Sequence, residues 1–304
     1  MMNKEQMPPF CQTDVTSSAC RNVDLFCNDI IDKKNLSDWF IVPPFSVLNV
    51  GSDVWQARKK IWMNRIKDTA QTRNNVLRTY TQVGVDFMNI KGDTTSILDP
   101  VLCEVLLHWF TEEWHTSFDP FSGDTVFGFC SAYKGRPFTG IELREEQVQQ
   151  NQSIIDANGL DAKYILDDAV NVKKHLKKES MDFMFSCPPY ADLEVYSDLE
   201  GDISNKPYKQ FLELYESIIE KSCKLLKVGG YACFVVGEVR DKNGFYIGFV
   251  PDTIKAFEKC GMKFYNEAIL LQSGLGAAGM RANGNMKSQK LVKVHQNILV
   301  FKKI

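Results

Sequence analysis

The chain has 304 residues, of which 44% are hydrophobic and 24% charged, with a formal net charge of −2. This composition is ordinary for a folded protein with a sizeable core, and it excludes nucleic-acid binding through overall charge alone. No apolar run approaches the roughly 20 residues that span a bilayer, and no secretory leader is evident. We therefore expect a cytoplasmic protein, in a bacterium or a phage-infected host cell.

Cysteine and histidine placement argues against a metal centre. The nine cysteines form no Cys-x-x-Cys pair, and the four histidines lie far from metal-ligand spacing. We expect free thiols and no metal.

The first part of the chain shows little regular periodicity. Residues 1–38 are polar and weakly periodic, which predicts a loosely ordered arm with room for one helix near residues 23–31. Residues 39–304 are predicted to form the folded domain, with an accessory segment at 39–95 and a sheet at 96–304. Within the accessory segment, residues 40–48 are expected to be extended and residues 55–67 helical.

The predicted helix 55–67 has an apolar stripe made by Trp55, Trp62 and Ile66. Its other face is basic, and the side chains expected there are Arg58, Lys59, Lys60, Arg65 and Lys67. Either a solvated surface or phosphate contact fits this face.

From residue 100 onward, short apolar strands alternate with amphipathic helices, as in a parallel sheet linked by crossovers. Strands are predicted near residues 116–119, 137–142, 163–166, 181–186, 232–236, 264–271 and 296–301. Helices are predicted near residues 100–110, 126–133, 144–158, 208–226 and 252–260.

Polar residues mark the ends of the first three of these strands. The first runs into Asp119-Pro120-Phe121-Ser122-Gly123, where Gly123 lets the backbone approach a ligand closely. The second ends in Glu142, where nucleotide-binding α/β units hold ribose hydroxyls, and the third in Asp167-Asp168. A lone acid here is usually a helix cap. Three in succession predict a site for an adenosine-bearing cofactor.

The fourth strand ends in Ser186-Cys187-Pro188-Pro189-Tyr190. Because two prolines cannot donate to a sheet ladder, the chain must leave the sheet here, at the edge where open α/β sheets bind ligands. A polar side chain and the Pro188 carbonyl can accept hydrogen bonds from an amino group, and Tyr190 can stack on a flipped base. This predicts a base-binding catalytic corner.

These motifs resemble those of the S-adenosylmethionine-dependent DNA methyltransferases that modify adenine N6 or cytosine N4. Residues 119–123 resemble their cofactor motif, 186–190 their catalytic motif, and 295–302 the closing strand of their sheet. Residues 43–48 and 191–198 look closest to a phage-associated branch of this family, in which restriction-modification is one role. The resemblance covers roughly residue 40 to the end.

The resemblance implies an α/β, Rossmann-like class I methyltransferase fold: a mostly parallel seven-stranded sheet with an antiparallel terminal hairpin. It also implies S-adenosyl-L-methionine as cofactor and double-stranded DNA as partner, and it leaves room for a homodimer. The implied catalytic residues are Ser186, Cys187, Pro188, Pro189 and Tyr190. The implied cofactor-binding residues are Ser96, Asp119, Phe121, Gly123, Glu142, Asp167 and Asp168.

The sequence departs from the family pattern at two positions. Cys187, a weak acceptor, precedes Pro-Pro where relatives have Asp, Asn or Ser, so the target base stays open, with adenine favoured. Asp124 follows Gly123 where many relatives have a second glycine. Three alternatives remain: methylation of RNA or a free nucleobase, attack by Cys187 on a ring carbon of cytosine, and a silent cofactor- or DNA-binding module.

Two loops complete the prediction. Residues 191–206 are acidic and fit either a mobile lid or a plain surface loop. Residues 272–295 combine glycines with basic side chains, which favours a flexible DNA-contacting segment over a disordered, solvated loop. Its proposed contacts are Arg281, Lys287, Lys290 and Lys293.

Overall fold

The computed structural model describes residues 36–66, 98–190, 199, 201–272 and 275–304. The predicted helix at 23–31 lies outside the described residues. The chain separates into two compact units, Met1–Pro44 and Phe45–Ile304. The described part of the first contains one short helix, α1 (Leu36–Phe40), in which the Trp39 and Phe40 rings meet edge to face.

The second unit contains the sheet. Its strands are β1 (Val47–Asn49), β2 (Ser117–Asp119), β3 (Phe138–Glu142), β4 (Ala162–Leu166), β5 (Met181–Ser186), β6 (Leu226–Val236), β7 (Met262–Leu271) and β8 (His295–Lys303). Its helices are α2 (Asp53–Arg65), α3 (Pro100–Phe110), α4 (Val126–Tyr133), α5 (Glu145–Ala157), α6 (Tyr208–Cys223), α7 (Phe249–Lys259) and α8 (Leu275–Met286), with 3-10 turns at Ala169–Lys174 and Ile203–Asn205.

The strands form one sheet in the order β1-β7-β8-β6-β5-β2-β3-β4. All neighbouring pairs are parallel except those of β8, which runs antiparallel to both β6 and β7. This is the predicted Rossmann-like methyltransferase architecture with its antiparallel terminal hairpin. The sheet has eight strands rather than seven, because part of the extended accessory segment, β1, pairs with the outer edge of β7.

The strand β5 lies in the middle of the sheet, and its apolar composition follows from that place. Phe183, Met184 and Phe185 have no exposed surface, as expected for a parallel strand covered on both faces. Helices α6 and α7 pack together on one face, where the Phe257 ring stacks on Phe301 of β8 at 4.0 Å. The central strand therefore lies inside the packed core of the domain.

Two boundaries differ from the sequence prediction for local reasons. β6 begins at Leu226, six residues early, and takes up the end of the helix predicted for residues 208–226. α7 begins at Phe249, before the predicted residue 252, because Glu238 accepts hydrogen bonds from the Gly248 and Val250 amides at 3.2 and 3.0 Å. A side chain from another segment thus fixes the start of this helix.

The segment predicted to be flexible near the end of the chain contains the helix α8. Its alanine, methionine and leucine content favours a helix and outweighs the glycines within it. The prediction of a wholly flexible segment is wrong for residues 275–286. Among the described residues, no helix is long and apolar enough to cross a membrane.

The basic face of α2 does not simply face solvent. Arg58 donates to both oxygens of Glu104 in α3, at 2.7 and 3.0 Å, and the Trp62 ring nitrogen donates to the same carboxylate at 2.8 Å. Lys59 pairs with Asp99 at 2.9 Å. Lys60 is exposed, and Lys67 lies outside the described residues. Arg58 and Lys59 are therefore partly exposed and held in ion pairs with α3 and its N-cap residue, not simply solvated.

Glu104 joins the accessory segment to the sheet domain, and its removal tests that role. Burial raises its pKa, but the hydrogen bonds from Arg58 and Trp62 outweigh burial, so the pKa is lowered overall. We expect Glu104→Gln to lower the free energy of unfolding at pH 7 by about 2 kcal/mol, since Arg58 is partly exposed and keeps some hydration.

Urea unfolding across pH measures this loss. A lowered carboxyl pKa stabilises the fold above the unfolded pKa, and that stabilisation disappears as pH falls through the folded value. The difference between wild type and Glu104→Gln should therefore shrink in acid. The exposed Glu258→Gln is the matched control, and an equal effect of both variants would contradict the assignment.

Candidate functional site

A cavity of about 350 Å³ opens at the carboxyl ends of β2, β3, β4 and β5. Such a volume suits a small-molecule ligand. Predicted site residues that line it are Asp119, Phe121, Gly123, Glu142, Asp167, Asp168, Cys187, Pro189 and Tyr190. The structure thus brings the two predicted motifs into one cavity. Ser186 and Pro188 are buried beside it, and Ser96 lies outside the described residues.

The turn after β2 is built by its own side chains. Asp119 accepts a hydrogen bond from the Phe121 amide at 2.8 Å, and Gly123 takes φ +47°, a left-handed conformation that favours glycine. Asp124, the next residue, accepts from the Val126 amide at 2.9 Å. Its carboxylate therefore caps the first turn of α4.

Asn151 of α5 holds the same turn from behind and was not singled out from the sequence. It is fully buried, donates to the Gly123 carbonyl at 2.9 Å and accepts from Gln147 and Thr125 at 2.8 and 2.7 Å. Its place on the apolar face of a helix could have indicated this role, because a buried amide side chain needs hydrogen-bond partners.

The Asp119 carboxyl is buried, with 3% of its surface exposed. Burial raises its pKa to about 7, while the hydrogen bond from the Phe121 amide opposes the rise. An acid that is only partly ionised at neutral pH therefore lies at the point where β2 and β5 end side by side. It can gain its charge when a cation arrives beside it.

Glu142, at the end of β3, is held by its neighbours. Its Oε1 accepts from the Arg144 amide and the Arg144 Nε at 2.9 and 3.0 Å. Burial raises its pKa, and Arg144 and the Gly123 amide act against that. A carboxylate has about four lone-pair sites, so Glu142 can also accept from two vicinal hydroxyls.

Asp167 and Asp168 follow β4 and differ in their surroundings. Asp167 is bonded to His175 at 2.6 Å and to Asn171 at 2.7 Å, and the His175 contact lowers its pKa. Asp168 accepts from the Val170 amide at 2.9 Å, and its Oδ2 lies so near Gly201 that a Cβ there would be 2.8 Å away. Asp167 mainly supports the turn, while Asp168 faces Gly201.

Tyr190 is held at its hydroxyl group. The group donates to the Val235 carbonyl at 3.3 Å and accepts from Gln296 at 2.7 Å, and the Cys187 sulfur lies 3.9 Å from it. The ring meets Phe249 edge to face at 5.8 Å. Gln296 was not predicted, since nothing local in the sequence joins strand β8 to the Pro-Pro-Tyr corner.

The cavity favours a positively charged ligand that also has polar groups. Its acidic lining residues are Asp99, Asp119, Asp124, Glu142, Asp167, Asp168 and Asp202, against the basic Lys59 and Arg144. Ser122 also lines it, and its buried hydroxyl has no hydrogen-bond partner among the described residues. Such an atom offers a ready contact to a bound molecule. These features fit a sulfonium nucleoside.

No family model and no curated protein match this sequence. Among solved structures, TrmN from Thermus thermophilus is 16% identical with a TM-score of 0.47, over 68% of this chain and 49% of TrmN. A SAM-dependent methyltransferase from Methanosarcina mazei is 14% identical with a TM-score of 0.44, over 66% of this chain and 97% of its own.

A candidate DNA modification methylase, also from Thermus thermophilus and complexed with S-adenosyl-L-methionine, is 20% identical. Its TM-score is 0.33, over 45% of this chain and 51% of its own. These values are too low to bear on activity or substrate. The assignment of the fold rests on the strand order described above.

The predicted basic contacts fall into two groups. Arg281 and Lys287 lie on exposed positions of α8 and just after it. Lys290 packs directly on Gly244, and Lys293 lies half-buried near Gly237. Burial lowers the pKa of Lys293, although Glu238 opposes this. The four residues therefore do not form one continuous exposed patch.

Replacing Asp119 by Asn tests the buried acid. The pKa rises from an ordinary value of about 4 to about 7 on folding, so ionisation weakens the folded state as pH increases between these values. A rise of about three pH units is worth up to about 4 kcal/mol. Asn keeps the acceptor for the Phe121 amide. We expect Asp119→Asn to be more stable than wild type at pH 8 and nearly equal to it near pH 4.

Urea unfolding at pH 4.5, 6 and 8 gives the difference directly. The exposed Asp156→Asn provides the matched control and should show little change at any pH. A stability difference at Asp119 that does not grow with pH would contradict a strongly raised pKa.

Proposed function

We propose that this protein is a site-specific DNA methyltransferase that modifies an exocyclic amino group of a flipped base, with adenine N6 favoured over cytosine N4. One observation carries the proposal: a single cavity is lined both by the strand-end acids and by the Pro-Pro-Tyr corner. An adenosine-bearing cofactor and a planar base would thus meet within it.

S-Adenosyl-L-methionine, when bound, would supply an electrophilic methyl group on a positively charged sulfur. Asp119, Phe121 and Gly123 would line its binding site, Glu142 would accept from the ribose hydroxyls, and Asp168 would face the adenine amino group. Asp167 would hold the turn beside it. Ser96, outside the described residues, remains a predicted contact to the methionine end.

The base corner would act by holding the target in place. An aromatic amino group is a weak nucleophile because its lone pair is delocalised into the ring, so acceptors against its hydrogens and correct alignment both help. Ser186, Cys187 and the Pro188 carbonyl are the proposed acceptors, and Pro189 shapes the turn. Tyr190 would stack on the base, an interaction worth about 1–3 kcal/mol in single-strand binders.

The expected product is N6-methyladenine or N4-methylcytosine in duplex DNA. We would incubate the protein with S-adenosyl-L-methionine and unmodified DNA of mixed sequence, digest to nucleosides and identify methylated species by mass spectrometry. Tyr190→Ala should abolish transfer while the cofactor dissociation constant stays within about twofold, because the ring acts on the base rather than on the cofactor. The exposed Tyr265→Ala is the matched control.

Other reaction products would indicate a different function. Methylated RNA alone would assign an RNA substrate, and 5-methylcytosine would assign Cys187 as a nucleophile. Cofactor binding with no product from DNA, RNA or free bases would indicate a catalytically silent binding module.

DNA contact is proposed for the basic residues around α8. Arg281 and Lys287 would contact phosphates, with Lys290 and Lys293 nearer the corner. Replacing Arg281 and Lys287 together by Ala should weaken DNA binding for all sequences and reduce the salt dependence of log K by about one for each phosphate that is no longer neutralised. Fluorescence anisotropy at several salt concentrations measures this. Lys163→Ala in β4 is the control, and an equal loss there would refute a local contact.

A further inference from the structure

A line of side-chain hydrogen bonds runs behind the Tyr190 hydroxyl and crosses three strands. Gln272, directly after β7, donates to the Gln296 carbonyl oxygen at 2.7 Å. Gln296, in β8, donates to the Tyr190 oxygen at 2.7 Å, and Tyr190 donates to the Val235 carbonyl of β6 at 3.3 Å. All four residues line the cavity.

The direction of this line is fixed by what each group can donate. A phenol has one hydrogen, and Tyr190 gives it to Val235, so its oxygen accepts from the Gln296 amide. The opposite end of that amide is its carbonyl oxygen, which meets the donor of Gln272. Glutamine suits position 296 because it presents a donor at one end and an acceptor at the other.

The ring of Tyr190 is held at a second point. Phe249 is fully buried at the start of α7 and meets the ring edge to face. Glu238 fixes that helix start by accepting from the Gly248 and Val250 amides. An anchor on the ring and another on its hydroxyl together restrict both the tilt and the rotation of its plane.

We propose that Gln296 is a positioning residue, which sets the plane of Tyr190 for stacking on the target base. The inference rests on the proposed function. A ring already in place costs less ordering when a base enters, and it aligns the amino group more closely for transfer. Gln272 supports Gln296 from outside and should matter less.

The first test is Gln296→Leu, which keeps the size of the side chain and removes both hydrogen bonds. We expect kcat/KM for DNA to fall about five- to tenfold, as loss of an ordinary hydrogen bond predicts, with the cofactor dissociation constant within about twofold of wild type. Gln272→Leu should lower kcat/KM by about twofold. Asn297→Leu is the matched control, because Asn297 adjoins Gln296 in β8 and bonds to Glu267 instead.

A double-mutant cycle separates positioning from mere structural support. If Gln296 acts through the hydroxyl, Tyr190→Phe should lower kcat/KM similarly, and the double variant should be no worse than either single one. Additive losses, or wild-type kcat/KM in Gln296→Leu, would overturn the inference. A parallel loss of cofactor affinity would also overturn it, since that indicates general damage to the sheet.

The contact between Gln296 and Tyr190 can also be tested by ¹⁹F NMR, which does not require methyl transfer. In protein labelled with 3-fluorotyrosine, the Tyr190 resonance is assigned by its absence in Tyr190→Phe. Gln296→Leu should shift that ¹⁹F resonance, and Asn297→Leu should not. A shifted resonance in Gln296→Leu, with no methyl transfer by wild type, would contradict the proposed function but support the contact between Gln296 and Tyr190. An unchanged resonance would contradict the contact itself.

Discussion

Parallel pairing of the four strands β4, β3, β2 and β5 is the constraint on which the rest of the site depends. Asp119 pairs with Gly140, Glu142 pairs with Leu166, and Phe118 pairs with Met184, so these strands point the same way and end along one edge. Residues more than 60 positions apart in the sequence thereby line one cavity. A slip of register by one residue would turn these side chains to the other face.

Several carboxylates lie close together at this edge of the sheet, which is electrostatically unfavourable. Nearby hydrogen-bond donors compensate for part of this repulsion. Glu142 has Arg144, Asp167 has His175 and Asn171, and Asp168 has the Val170 amide. Asp119 and Glu142 nevertheless keep raised pKa values, since the hydrogen bonds beside them do not offset their burial. Because burial of these carboxyl groups is not offset, this edge prefers a cationic ligand. A sulfonium cofactor carries that charge.

Local sequence signals could predict the strand ends but not the contacts between distant segments. The prolines after Ser186 and the helix pattern from Tyr208 depend on near neighbours, and both elements lie where expected. The Glu104 contacts with Arg58 and Trp62 span more than 40 positions, and Gln296 meets Tyr190 across 106. Such pairs exist only once the sheet has formed. The extra strand β1 likewise needs the edge of β7 before it has a partner.

Cys187 at the Pro-Pro-Tyr corner affects how much hydrogen bonding and how much alignment would contribute to the proposed reaction. A thiol accepts hydrogen bonds weakly, so Cys187 would polarise an amino group less than the Asp, Asn or Ser of the resembling family. Accurate placement of the base would then carry more of the rate. The position of Tyr190 is restrained by three residues, Val235, Gln296 and Phe249. A corner with a weak acceptor and a firmly held ring would therefore depend more on alignment than on hydrogen bonding to the base.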